Sequence, residues 1–183
     1  MKYAILMDDG VEEIEALTVV DILRRAEIEI DMISASDDRR VTGAHGIVIE
    51  ADNIGNDVRF SKYDGIIIPG GMGNVNRLKA NSHVSFVLKS FLSRNDLIAA
   101  ICAGPTVLGA LDILKERKAT CYPGLEDQLN CASTPSDNVV IDDNIITSKG
   151  PGTAMEFALA IVAYLKDQET ADAVRKALLY QNN

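Results

Sequence analysis

Cys102 closes the apolar run Leu97-Ile98-Ala99-Ala100-Ile101 and is followed at once by Ala103-Gly104-Pro105-Thr106-Val107-Leu108. The pattern predicts a buried strand that stops, turns within one residue and enters a helix. α/β enzymes present a nucleophile in this way, at the carboxyl end of a parallel sheet. A helix N-terminus carries partial positive charge and favours thiolate over thiol. Cys102 is therefore the candidate reactive centre. The competing reading is a small core hydrophobe, a frequent fate of free cysteine.

Glu15 is the carboxyl to place on that thiol. It shares a helix face with Val11 and Val19, four residues to either side, and so can point inward. Burial disfavours the charged carboxylate. A protonated Glu15 could then donate a hydrogen bond to a thiolate, whereas the bland alternative is a surface glutamate. Glu12 and Glu13 read as solvated or capping charges of the first helical turn. Pro69-Gly70-Gly71-Met72-Gly73 has two readings. It provides positive φ for a turn, or its bare backbone lets an N–H of the Gly70-Gly71 pair point at the site and, with that of Ala103, make an oxyanion hole. It lacks the lysine and the long glycine spacing of a phosphate-binding loop, which excludes nucleotide binding.

A Cys-His pair needs a histidine close to the thiol. Residue 103 is Ala, and the segment 119–123 carries Tyr122. His83 reads as a solvated residue at a helix start. His45 lies in a Gly-flanked excursion and could reach the site or a partner subunit. No catalytic dyad with histidine stands out. Gly70, His45 and Tyr122 are kept as candidate pocket residues.

These residues need a scaffold, and the composition supplies one. A chain of 183 residues, 47% hydrophobic, suffices for one domain (1–183) with a full aliphatic core, aromatics being 5% and Trp absent. The net charge of −9 argues against nucleic acid or an anionic membrane as partner. No apolar run approaches the ~18 residues that span a bilayer. A first strand from about residue 3 leaves no room for a signal peptide. Cys102, Cys121 and Cys131 show no paired spacing, and with two histidines a metal site is not expected. The expectation is a reduced cytoplasmic protein.

Short apolar runs alternate with amphipathic stretches, the signature of a parallel sheet wrapped by helices. Strands are predicted at 3–7, 29–34, 66–68, 97–101, 119–122, 139–141 and 145–147, with a hairpin or edge excursion at 42–50. Helices are predicted at 11–25, 82–93, 154–165 and 169–179, and a small one at 125–129. The helix at 154–165 is apolar nearly all round and should be buried on more than one side. Three loops, after residue 7, at 69–73 and at Cys102, should converge at the carboxyl ends of adjacent strands, where α/β sheets place their sites.

Four ordered segments, EEIEALTVVDILRRA, IIIPGG, AAICAGPTVLGAL and SKGPGTAMEFALAIV, resemble the ThiJ/PfpI family of the class I glutamine amidotransferase-like superfamily, nearly end to end. Within it they are most similar to the Parkinsonism-associated branch. The resemblance implies a flavodoxin-like three-layer α/β/α sandwich with a mostly parallel sheet, usually a homodimer and without a cofactor. It implies Cys102 as nucleophile, Glu15 as its protonated partner, and Gly71 and Ala103 as backbone donors. The activity it implies is glyoxalase- or deglycase-like processing of small aldehydes and dicarbonyls such as methylglyoxal. The alternative is an oxidative-stress sensor or chaperone whose cysteine becomes a sulfinate. Some relatives carry histidine at the position of Tyr122, and the protease-like branch has histidine directly after the cysteine. Ala103 argues against peptidase activity.

Overall fold

The computed structural model describes residues 1–180. In chain order it forms β1 (Lys2–Met7), α1 (Glu13–Arg25), β2 (Glu29–Ser34), β3 (Arg40–Thr42), β4 (Val48–Glu50), β5 (Asn53–Ile54) and β6 (Gly65–Ile68). Then come α2 (Met72–Ala80), α3 (Ser82–Arg94), β7 (Leu97–Ile101), α4 (Pro105–Gly109), β8 (Val139–Asp142), β9 (Ile145–Ser148), α5 (Ala154–Leu165) and α6 (Gln168–Ala177).

Seven strands make one sheet in the order β5-β2-β1-β6-β7-β9-β8. All neighbours are parallel except β8 and β9. Because strand side chains leave by alternate faces, β1 sends Tyr3, Ile5 and Met7 into one core and Ala4 and Leu6 into the other. α1, α5 and α6 cover the first core, and α2 and α3 with the chain after β7 cover the second. The result is the three-layer flavodoxin-like sandwich. α5 packs against the sheet, α1 and α6 at once, which explains its apolar circumference. Among the described residues no helix is long and apolar enough to cross a membrane.

The connections leave β1 toward β2 on one side and reach β6 on the other, so a topological switch point lies between β1 and β6. The carboxyl ends of β1, β6 and β7 meet there.

Several local expectations differ. Residues 119–122 form no strand. Ala119 N–H donates to Ser133 O, Thr120 N–H to the Thr147 hydroxyl and Tyr122 N–H to Cys102 O, so no single partner builds a ladder. The predicted helix at 125–129 is a single 3₁₀ turn, Glu126–Gln128. The 42–50 excursion is a separate hairpin of β3 and β4. α2 was hidden by Gly73, Asn74 and Asn76, all weak helix formers.

Candidate active site

Cys102 sits in the left-handed region at φ 64°. A non-glycine there costs of order 1–3 kcal/mol unless its surroundings hold it. They do so from two sides: Cys102 N–H donates to Ser148 O at 2.9 Å and Tyr122 N–H donates to Cys102 O at 2.9 Å. This turn carries the thiol at the end of β7, between Glu15 and Gly70. Glu15 is fully buried, and Gly70 N–H donates to its Oε2 at 2.7 Å. The backbone N–H groups of Gly71 and Ala103 act on the Cys102 sulfur in favour of its charged form, and Glu15 is the ionisable side chain beside it. Glu15 Oε1 is buried with no hydrogen-bond partner among the described residues.

Gly70 and Gly71 divide their work. One N–H serves the carboxyl and the next serves the thiol. Gly71 needs its freedom: it lies at φ +86°, and a Cβ there would fall 2.1 Å from Gly10 O.

The electrostatics correct the expectation of a thiol depressed by a helix end. α4 has only five residues, so little dipole stands behind the turn. Burial raises Glu15 to about 7. Burial, then the charge of Glu15 beside it, pushes the Cys102 thiol up to about 12, against the smaller downward pull of the Ala103 and Gly71 N–H groups. Two acids this close titrate as a pair, so both upward shifts belong to the pair rather than to either group alone.

Glu13 is buried rather than solvated, and it clamps the hairpin. Its Oε1 accepts from His45 N–H at 2.8 Å and from Ile47 N–H, and its Oε2 lies 2.8 Å from His45 Nδ1. His45 is thereby turned onto Glu13, with its side chain 68% exposed, and none of its hydrogen bonds reaches Cys102. Glu12 Oε1 lies 3.6 Å from the same His45 nitrogen. Tyr122 reaches the site through its backbone, and its half-exposed ring lies against Gly150. His83 is exposed at the start of α3, 6.0 Å from the Phe60 ring.

For Glu13 burial acts upward, but the His45 side chain and the His45 and Ile47 N–H groups outweigh it and hold the carboxyl at about 2. A carboxylate depressed in the folded state contributes stability above its ordinary 4.5 and loses it as pH falls toward 2. Urea midpoints measured from pH 6 to 2 should fall on that limb, and Glu13→Gln should flatten it. Glu13→Ala should cost about 1–3 kcal/mol near neutrality. An acid limb identical in wild type and Glu13→Gln would show that the clamp contributes nothing.

Comparison with known proteins matches residues 1–164 to the DJ-1/PfpI family. The chain is 37% identical to Protein dj-1beta of Drosophila melanogaster over 181 residues, 98% of this chain and 97% of that one. It is 40% identical to the glutathione-independent glyoxalase DJR-1.2 of Caenorhabditis elegans over 176 residues, 95% and 93% of the two chains. The solved structure of oxidized DJ-1 from Toxoplasma gondii superposes with a TM-score of 0.95 at 35% identity, covering 99% of each chain. The chain belongs to the DJ-1/PfpI family.

Proposed function

We propose that the protein converts small dicarbonyls, methylglyoxal in the first instance, to hydroxy acids without a cofactor. The observation that carries this reading is the fully buried Glu15 beside the half-buried Cys102, with the Gly71 and Ala103 N–H groups at the sulfur. The Cys102 thiolate attacks the aldehyde carbon and forms a hemithioacetal, whose oxygen takes up a proton. Glu15 carries the hydrogen of that carbon, as a proton, to the neighbouring carbonyl carbon. The product is a lactoyl thioester, and water hydrolyses it to lactate and free thiol. Early glycation adducts present a similar carbon to the same thiolate. The name of the nematode relative supports the reading.

The protein pairs with a second copy in this proposal. Ile14 and Leu17 on α1, with Ile47 and Val48 on the hairpin clamped to that helix, are exposed apolar side chains suited to such an interface. The working compartment is the cytoplasm, and the whole chain acts as one domain.

The test is lactate formation from methylglyoxal with no glutathione or metal added, in wild type and Glu15→Gln. The amide keeps the shape of the acid and cannot shuttle a proton, so the rate should fall about 10²- to 10³-fold. Because its folded value is raised, Glu15 stabilises the fold below 4.5 and loses that contribution as pH rises through about 7. Glu15→Gln should remove that slope from the stability curve as well. An undiminished rate in Glu15→Gln would overturn the role given to Glu15. A second reading, a peroxide sensor, draws on the same N–H groups, which would hold a sulfinate. Wild-type protein that makes no lactate but oxidises Cys102 ahead of Cys121 and Cys131 would favour it.

A further inference from the structure

Both N–H groups at the sulfur belong to peptide planes whose other face is held in place. A trans peptide points its C=O and the following N–H in opposite directions. For the Ala103 N–H, the plane is fixed by Tyr122 N–H, which donates to Cys102 O at 2.9 Å. For the Gly71 N–H, the plane is fixed at Gly70 O. That oxygen accepts from Glu12 N–H at 3.2 Å and from the Asn74 side-chain amide at 3.1 Å.

Asn74 is fully buried in the first turn of α2. Its Nδ2 also donates to Pro69 O at 2.9 Å, and its Oδ1 accepts from Asp8 N–H at 2.7 Å. Two carbonyls on one side and an N–H on the other fix the orientation of the amide. One side chain therefore joins the end of β1 to both carbonyls of the loop after β6. Gly70 and Gly71 have no side chains to restrain the loop themselves, and Gly71 lies at positive φ. The peptide between them is held at Gly70 O by the Asn74 amide and the Glu12 N–H.

We propose that Asn74 is a positioning residue: it holds the Gly70–Gly71 peptide so that the Gly71 N–H donates to the Cys102 thiolate. The proposal rests on the reading of Cys102 as the working thiolate, but its tests do not need turnover. Removing the amide should lose one hydrogen bond to the ionised sulfur and leave the Ala103 donor in place.

The test is pH-dependent alkylation of Cys102 by iodoacetamide, read by mass spectrometry, in wild type and Asn74→Ser. The variant should react about tenfold more slowly at pH 7, with its midpoint raised by about one unit. A merely structural role would lower the unfolding midpoint and leave the alkylation profile of the folded variant unchanged, which would overturn the proposal. Wild-type protein supplies an arm independent of any variant. In its NMR spectrum the Gly71 and Ala103 amide protons should both move downfield as the thiol ionises. A Gly71 amide that stays still would also overturn it. If wild type makes no lactate while Asn74→Ser shows the shifted profile, the dicarbonyl reading falls and the role of Asn74 stands.

Discussion

Cys102→Ala should lower lactate formation from methylglyoxal by about 10³-fold or more, since in the proposed reaction it removes the atom that bonds to the substrate. The remaining groups can still bind a carbonyl and hydrogen-bond to it, but without sulfur there is no hemithioacetal and no thioester to hydrolyse. Stability should change by less than about 1 kcal/mol. The strained turn is held by backbone hydrogen bonds to Ser148 and Tyr122, which Ala keeps. The loss would therefore be chemical rather than a consequence of unfolding. The check is steady-state lactate production alongside thermal unfolding of the same preparations. A folded Cys102→Ala protein that turns over methylglyoxal at the wild-type rate would place the chemistry elsewhere.

Gly70→Ala should be nearly as damaging, by a different route. A Cβ on Gly70 would fall 2.6 Å from Cys102 Cβ, 2.6 Å from Glu15 Oε2 and 3.0 Å from Cys102 Sγ. Real Cβ atoms essentially never approach to 2.6 Å, so the methyl must push the thiol and the carboxyl away. A displacement near 1 Å at a reacting centre costs about 10²-fold, and the overpacking should cost about 1–3 kcal/mol in stability. Activity and the urea midpoint measured together should both fall. A Gly70→Ala protein with wild-type kinetics would mean that the thiol and the carboxyl need not touch.

The scaffold was legible because its signals are local. Aliphatic runs such as Ile66-Ile67-Ile68 and Leu97–Ile101 mark parallel strands buried on both faces, and the break after Cys102 marks the turn. Glu15 was legible from its spacing to Val19 on α1; Val11 is also buried but precedes the helix, which begins at Glu13. Other parts of the site depend on partners distant in sequence. Glu13 meets His45 across 32 residues, and Asn74 meets Asp8 across 66. A pair of adjacent glutamates does not reveal which one turns inward, and an asparagine near a glycine loop reads as turn chemistry. The helix end after Cys102 could be seen in the sequence, but its five-residue length could not.

The central claim is that Cys102 and Glu15 share a proton, so that thiolate forms when the pair loses its first proton. The most direct measurement is the pH dependence of Cys102 alkylation in wild type and Glu15→Leu. The wild-type rate should rise with a midpoint below the ~8.5 of a free cysteine and then level off. Without the acid to donate to the sulfur, the Glu15→Leu midpoint should lie above the ~8.5 of a free cysteine, because burial then acts on the thiol unopposed by that donor. A wild-type midpoint at or above ~8.5, unmoved by the substitution, would contradict the account and make Cys102 a buried core thiol.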